Sequence, residues 1–515
     1  MIVVSAAEMR ALDRWTIDHG TPGTVLMERA GEGAARVLRT QWPRPGGPAV
    51  ICCGKGNNGG DGFVVARHLR RARLGAEVWL VGRPDEVRGD AAEMLRQWKG
   101  AVTTVETAGE LDALRRKLAR AGVVVDALLG TGLNAPVEGV HAAVIDAINE
   151  AGRPVLAIDI PSGLSSDTGR PMGTAVRATV TATFAFPKLG QVVYPGAELC
   201  GRLEVVDIGI PVDAVASIAP RMRLLEAGEL GRMLPRRARD THKGTFGHVV
   251  VVAGSRGKTG AALLASTAVA RVGAGLTTLA AAGSLLPVLE GHAREIMSEP
   301  LPDGPDGTAA LGDGAVLERL LADRAAVVCG PGLGQAEGTR ALVAHVVRHA
   351  RAPLVLDADG LNLVAGTAIL RERPAPTVVT PHPGEMARLV GSSTGVVQAD
   401  RVATARRFAA EHGVVTVLKG ARTVIATPEG DVAISPTGNP GMASGGMGDV
   451  LSGVIGGLLA QGLDAASAAA FGVFAHGAAA DAVAERRGEV GLLAGDLLDE
   501  LPPTIARLQA GGARE

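Results

Sequence analysis

Aromatic side chains are scarce in this chain: 7 Phe, 4 Trp and a single Tyr among 515 residues. A surface for single-stranded nucleic acid stacks bases on such rings, and here there are few to stack on. Charge of one sign is missing too. With 52 Lys and Arg against 53 Asp and Glu the net charge is −1, and no long basic run supplies the clustered positive field that phosphate neutralisation needs. Nucleic acid is therefore not an expected partner. The four cysteines, Cys52, Cys53, Cys200 and Cys329, make no CxxC pair; they read as small buried thiols of a reducing, cytoplasmic compartment. The start MIVVSAAEMRALDRW lacks a basic segment followed by an apolar one, so no secretory leader is expected. The longest apolar stretch, Ala465 to Ala482, is mostly Ala and Gly and contains His476. It reads as a buried helix rather than a membrane span.

Glycine is abundant by contrast: 71 residues beside 29 Pro. That share stays below the level at which unpatterned Gly and Pro imply disorder, so the glycines belong to packed structure. The length fits two domains. Short apolar runs ending in Gly, Asp or Pro alternate with helix-period segments from about residue 49 to 211 and again from about 248 to 500, the pattern of an α/β fold repeated. It predicts strands at 49–53, 77–81, 123–128, 155–160, 179–186 and 203–208, and then at 248–253, 325–329, 353–357, 377–380 and 414–418. A further pair, 423–426 and 431–434, flanks the turn Thr427-Pro428-Glu429-Gly430 and reads as a hairpin at a sheet edge. Ser5 and Glu8 stand at capping-box spacing and announce an N-terminal helix. Residues 211–240 lack a strand pattern, and their basic cluster Arg236-Arg237-Ala238-Arg239 reads as a solvated face. The domain boundary is placed near residue 215.

In the first half, Gly54-Lys55-Gly56-Asn57-Asn58-Gly59-Gly60-Asp61-Gly62 joins a strand to a helix and contains G-x-G-x-x-G, a weak dinucleotide fingerprint on its own. A carboxylate at Asp61 opposes a pyrophosphate at the same helix start. Two carboxamides and one carboxylate offer oxygen ligands suited to a singly charged cation; a plain Gly/Asn turn is the other reading. Asp126 and Asp159 each end an apolar strand and precede a Gly-containing loop, at the sheet edge where α/β proteins bind ligands. Lys188, in Phe186-Pro187-Lys188-Leu189-Gly190 one strand later, brings an amine to the same rim. Asp159 and Lys188 can form an acid/base pair or a simple ion pair closing the rim.

In the second half, Gly254-Ser255-Arg256-Gly257-Lys258-Thr259 fails as a Walker loop, because Val252 stands where a glycine is required. Gly330-Pro331-Gly332 and Thr380-Pro381-His382-Pro383-Gly384-Glu385-Met386 are strand-end loops, and the flanking prolines hold His382 on a stiff backbone. The strongest element is Asn439-Pro440-Gly441-Met442-Ala443-Ser444-Gly445-Gly446-Met447-Gly448-Asp449, which runs into an apolar helix. Glycines there leave amides free for phosphate oxygens, and Asp449 can take a proton from a hydroxyl that attacks phosphorus. Upstream, Lys419-Gly420-Ala421-Arg422-Thr423 ends a strand and can line a nucleotide.

Together NNGGDG, DIPSG, FPKLG, HKGTFG, AGSRGKTGAA, PHPGEM and GNPGMASGGMGD resemble the bifunctional NAD(P)H-hydrate repair enzymes, over roughly residues 5 to 505. The resemblance implies a Rossmann-like three-layer α/β/α epimerase domain (residues 1–215) followed by a ribokinase-like α/β/α dehydratase domain (residues 222–510) that uses ADP or ATP. In the first, it implies contacts to the hydrated nucleotide, NADHX or NADPHX, from Asn57, Asn58, Gly59, Gly60, Asp61, Gly130, Thr131, Gly132, Leu133, Asn134, Ala135, Pro136 and Asp159. Potassium would be held by Asn58, Asp126 and Ser162, and Asp159 and Lys188 would be catalytic. In the second it implies hydrate contacts from Gly332, the loop His382, Pro383, Gly384, Glu385, Met386, Ala387 and Arg388, and from Asp449. Nucleotide contacts would come from residues 419–423 and 439–448, with magnesium accompanying the phosphates and Asp449 catalytic. A homo-oligomer is also expected. The alternative is a ribokinase-like kinase for a vitamin precursor fused to a non-catalytic binding domain.

Overall fold

A computed structural model of the chain describes residues 1–511. Two compact units emerge, residues 2–221 and residues 222 onward. The first is built on a fully parallel seven-stranded sheet in the order Val102–Val105, Ala76–Val81, Ala49–Cys53, Val123–Ala127, Val155–Ile158, Val180–Phe184 and Arg202–Val206. Its central strands are buried along their whole length, which is why they read as continuous apolar runs. Helices cover both faces, with Phe63, Leu38 and Leu69 in one core layer and Leu114, Leu118 and Ile148 in the other.

The second unit runs Met222–Leu224, Val432–Ile434, Val424–Ala426, Val415–Leu418, Thr377–Val379, Leu354–Leu356, Ala326–Cys329, His248–Val252, Leu276–Ala282 and Met297–Leu301. All its pairs are parallel except the two that the hairpin makes. The helix Ala465–Arg487 is long and apolar enough to cross a membrane by length and composition, and it packs inside this unit, most of its residues buried.

Five strands were not expected from the sequence, the shortest of them Ile2–Val3. Met222–Leu224 lies within the stretch read as strandless, and by pairing with Val432–Ile434 it covers the hairpin that was expected at an edge. Val102–Val105 is short and only its last residue is buried. Leu276–Ala282 ends in three alanines, which are depleted in strands and blur its pattern. Met297–Leu301 holds Pro300, tolerated because the strand is at an edge. The predicted strand 155–160 stops at Ile158, since Asp159 adopts φ +64° and turns the chain. In the basic cluster Arg236, Arg237 and Arg239 are exposed as expected, and Arg237 also lies over the Phe246 ring at 3.7 Å. All four cysteines are free and buried.

Candidate functional site

The carboxyl edge of the first sheet opens on a cavity of about 870 Å³ lined by Asn57, Asn58, Asp61, Asp159, Lys188 and the loop Gly130 to Pro136. The Asn57–Arg71 helix starts inside the NNGGDG turn, which is tightly seated: a Cβ on Gly59 would lie 1.9 Å from the Gly54 carbonyl oxygen. Lys188 is buried, its side chain 1% exposed. Its ammonium donates to Asp159 Oδ1, to Thr183 Oγ1 at 3.0 Å and to the Phe184 carbonyl at 3.1 Å. Asp159 sits in the left-handed region, where a non-glycine residue costs about 1–3 kcal/mol and marks functional strain. Gln191, which sequence reasoning did not single out, braces the pair: it donates to the Asp159 carbonyl at 2.6 Å and accepts from the Lys188 amide at 2.7 Å.

Two more carboxyls face this pair. Asp61 is buried, and its pKa is driven well above the carboxylate range, first by burial and then by Asp159 and Asp13. Asp13 comes from the helix Ala6–Asp18, lines the same cavity, and was not identified from sequence. Gly59 and Gly60, expected to contact the ligand, are not among the residues lining the cavity; a Cβ on Gly60 would meet Met27 and Ala91. Asp126 and Ser162 lie beneath the cavity, both fully buried. Ser162 donates to Asp126 through its hydroxyl (2.6 Å) and its amide (2.8 Å), and burial raises Asp126 to about 6 against those bonds.

The second unit gathers its own cluster. Asp449 is the third residue of the Met447–Ala460 helix, entered through Gly446 at φ +91°. Burial, then Asp357, raises its carboxyl to about 6, opposed by Lys419. Lys419 Nζ donates to Asp357 Oδ1 at 2.8 Å and lies 3.8 Å from Glu385. Burial works against its charge, but Asp357, Glu385 and Asp449 outweigh it and raise its pKa. Lys258 pairs at 2.9 Å with Asp359, which also accepts from the Gly334 amide. Asp357 and Asp359 were missed as site residues, although the run 353–357 ends in an Asp just as the strands before Asp126 and Asp159 do.

Several expected contact residues carry structural duties. His382 Nδ1 accepts from the Gly384 and Glu385 amides and so caps the helix Pro383–Leu389, leaving the ring half exposed. Met386 and Ala387 point into the core, so only their backbone can meet a ligand; the same holds for Met447. Arg388 reaches Asn362 at 2.8 Å. Gly332, at φ +61°, packs against Ala261 and Lys258 and accepts from Ser255. Arg401, unmarked in the sequence, ties down the loop 419–423 through the Ala421 and Leu418 carbonyls. Asn439 caps the turn Pro440–Met442 and bonds Asp481, Ser444 donates to the Leu492 carbonyl, and Ala443 and Gly445 stay exposed.

Gly330 positions Asp357. It has φ +128°, and a Cβ there would stand 1.8 Å from the Asp357 carbonyl oxygen. Gly330→Ala is expected to destabilise the second unit by about 3 kcal/mol or more through combined strain and overpacking, and to displace Lys419 with Asp357. A denaturant titration checks this; a change below about 0.5 kcal/mol, the level of a neutral surface substitution, would refute it.

Two α/β units, one on a parallel and one on a mostly parallel sheet, each with carboxylates and a lysine beside a glycine-bounded helix start, define a two-site α/β enzyme. The family model described as YjeF-related protein N-terminus matches residues 23–190, and the one described as NAD(P)H-hydrate dehydratase matches residues 249–503. The bifunctional NAD(P)H-hydrate repair enzyme Nnr of Moorella thermoacetica is 46% identical over 99% of this chain and 97% of its own length; that of Escherichia coli is 39% identical over 92% and 88%. An ADP/ATP-dependent NAD(P)H-hydrate dehydratase from Bacillus subtilis, solved with ATP/Mg2+, is 34% identical over 55% of this chain and 97% of that one, with a TM-score of 0.48. The chain belongs to the bifunctional NAD(P)H-hydrate repair enzymes. Full-length similarity of this kind sets aside the kinase-plus-binding-module alternative.

Proposed function

We propose that this chain repairs hydrated nicotinamide nucleotides in two steps, one in each unit. The first unit interconverts the R and S forms of NADHX and NADPHX; the second dehydrates the S form to NADH or NADPH at the expense of ADP or ATP. The buried Asp159–Lys188 pair on the wall of the first cavity carries the reading: Lys188 holds Asp159 in an ion pair, and Asp159 takes the proton of the ring hydroxyl. In the second unit Asp449 removes the hydroxyl proton of the S hydrate, and the oxygen attacks the terminal phosphorus of the nucleotide. Phosphate then departs with the ring oxygen while the neighbouring ring carbon loses a proton, which restores the double bond.

Asn57, Asn58, Asp61 and residues 130–136 line the cavity and would hold the hydrate there. The loops 382–388 and 419–423, Gly332, and residues 439–448 would hold hydrate and nucleotide in the second unit. A potassium ion fits beside Asn58, Asp126 and Ser162. Asn58 Nδ2 is spent on the Leu129 carbonyl at 3.1 Å, so its oxygen is left for a ligand. One carboxylate among neutral oxygens suits a singly charged cation. Magnesium bound with the phosphates would neutralise their charge, and Asp357, whose buried Oδ2 has no hydrogen-bond partner, is the residue that fits it.

The test is to incubate purified protein with mixed R and S hydrates and ADP or ATP while following reduced nicotinamide by absorbance. All of the hydrate should return as reduced nucleotide. Recovery of the S fraction alone would refute the epimerase assignment, and no recovery would refute both.

A further inference from the structure

Inverting the hydrated ring carbon moves two protons, and the Asp159–Lys188 pair accounts for one. The hydroxyl of the hydrate sits on the carbon beside the ring nitrogen. Opening the ring there breaks the carbon–nitrogen bond, sends the hydroxyl proton to a base and requires an acid to protonate the nitrogen. Lys188 has no free hydrogen for that proton, because its three are committed to Asp159, Thr183 and Phe184.

We propose that the carboxyl of Asp13 is the second proton-transferring group of this site, working opposite Asp159 on the same ring. The proposal rests on the epimerase reading. Asp13 lies on the cavity wall. It borders the helix face that buries Ala6, Met9, Leu12 and Thr16, so the fold orients it, yet it accepts no hydrogen bond from any described residue. An unpartnered carboxyl at a cavity wall is available to a ligand.

The helix that carries it is pinned to the rim that carries Lys188. The Val4 amide donates to the Pro187 carbonyl at 3.0 Å and the Leu189 amide to the Val4 carbonyl at 2.9 Å, bracketing Lys188. Ser5 and Glu8 complete the capping box, and the Ala6 amide donates to Asp167 at 2.7 Å.

The charges facing Asp13 come from each surrounding element: Asp61 from the Asn57–Arg71 helix, Asp159 from the strand end and Lys188 from the next rim. Arg10, from its own helix, also faces the cavity; Lys55, Asp90, Glu138 and His141 line it as well. Three carboxyls crowd one ammonium, so a proton is retained among them. Burial, then Asp159, raises Asp13 to about 6 against the pull of Lys188. Burial, then Asp159 and Asp13, raises Asp61 as well. Asp13 exchanges its proton near neutrality, where a general acid works best.

The step then balances. Asp159 takes the hydroxyl proton, Asp13 gives its proton to the ring nitrogen, and the carbon–nitrogen bond breaks to leave an aldehyde and an enamine. The aldehyde rotates to present its other face. The nitrogen attacks, its proton returns to Asp13, and Asp159 returns its proton to the new hydroxyl oxygen.

The experiment uses the full chain without nucleotide, following R to S conversion chromatographically in the wild type, Asp13→Asn and Asp13→Glu. Wild-type rate should fall as pH rises through about 6, because the acid is lost. Asp13→Asn should lower kcat about 100-fold, keep KM within threefold and abolish that fall; Asp13→Glu should restore at least a tenth of the rate. Asp13→Asn within threefold of wild type with the same pH profile overturns the proposal. Should the Asn variant not fold, Asp13→Glu carries the test alone, and folded but inactive Asp13→Glu overturns it. A wild-type chain that never interconverts R and S overturns the epimerase reading, and the role of Asp13 with it.

Discussion

Asp449→Asn is expected to lower dehydration by 10²- to 10⁴-fold, the span of general-base removal, while ADP or ATP affinity stays within about threefold. The glycines at 441, 445, 446 and 448 keep their amides in this variant, so the phosphate contacts survive. Asp449 is also crowded by Asp357, Asp359 and Glu385, and removing one of these charges relieves repulsion. The variant should therefore melt no lower than the wild type, the trade of stability against activity found at strained sites. Dehydration rate, nucleotide titration and a thermal melt on one preparation check all three. Nucleotide affinity lost in step with the rate would place Asp449 at the phosphates instead of at the hydroxyl.

Lys188→Met should abolish R to S conversion and weaken the first unit together. Lys188 is buried with Asp159, and removing one partner of such a pair costs about 3–5 kcal/mol because the other charge is stranded. Asp61 and Asp13 stand close enough to aggravate this. Asp159→Asn should cost less stability, since Lys188 retains Thr183 and the Phe184 carbonyl, while removing the proton acceptor just as completely. Denaturant unfolding of both variants gives the ordering. A Met variant as stable as the wild type would show that the pair is not held as a buried ion pair.

The sequence made the central strands legible because strands buried on both faces are written as unbroken apolar runs, as in Val123–Ala127 and His248–Val252. Strands at or near the edges escaped for the opposite reason: Val102–Val105 and Met297–Leu301 are only partly covered and carry Thr, Ser, Glu and Pro. Met222–Leu224 has too few residues to show a period at all. Site residues followed the same division. Asp159, Lys188 and Asp449 were readable because each sits in a glycine- or proline-marked loop at a strand end or helix start. Asp13 sits mid-helix, distinguished from a surface acid only by what the folded chain brings opposite it. Arg401 and Gln191 act through backbone carbonyls contributed by other segments, and no local motif encodes such a partnership.

The bracket that Val4 forms around Lys188 has a practical meaning for anyone dividing this protein. The family match of the first unit begins at residue 23, and a fragment begun there would look complete by homology. It would lack both the segment that clamps the catalytic rim and the helix that closes the cavity with Asp13. On the proposed reading the opening residues thus help to build the first site, and an expression boundary or fusion partner placed close to them would disturb the Val4 bracket.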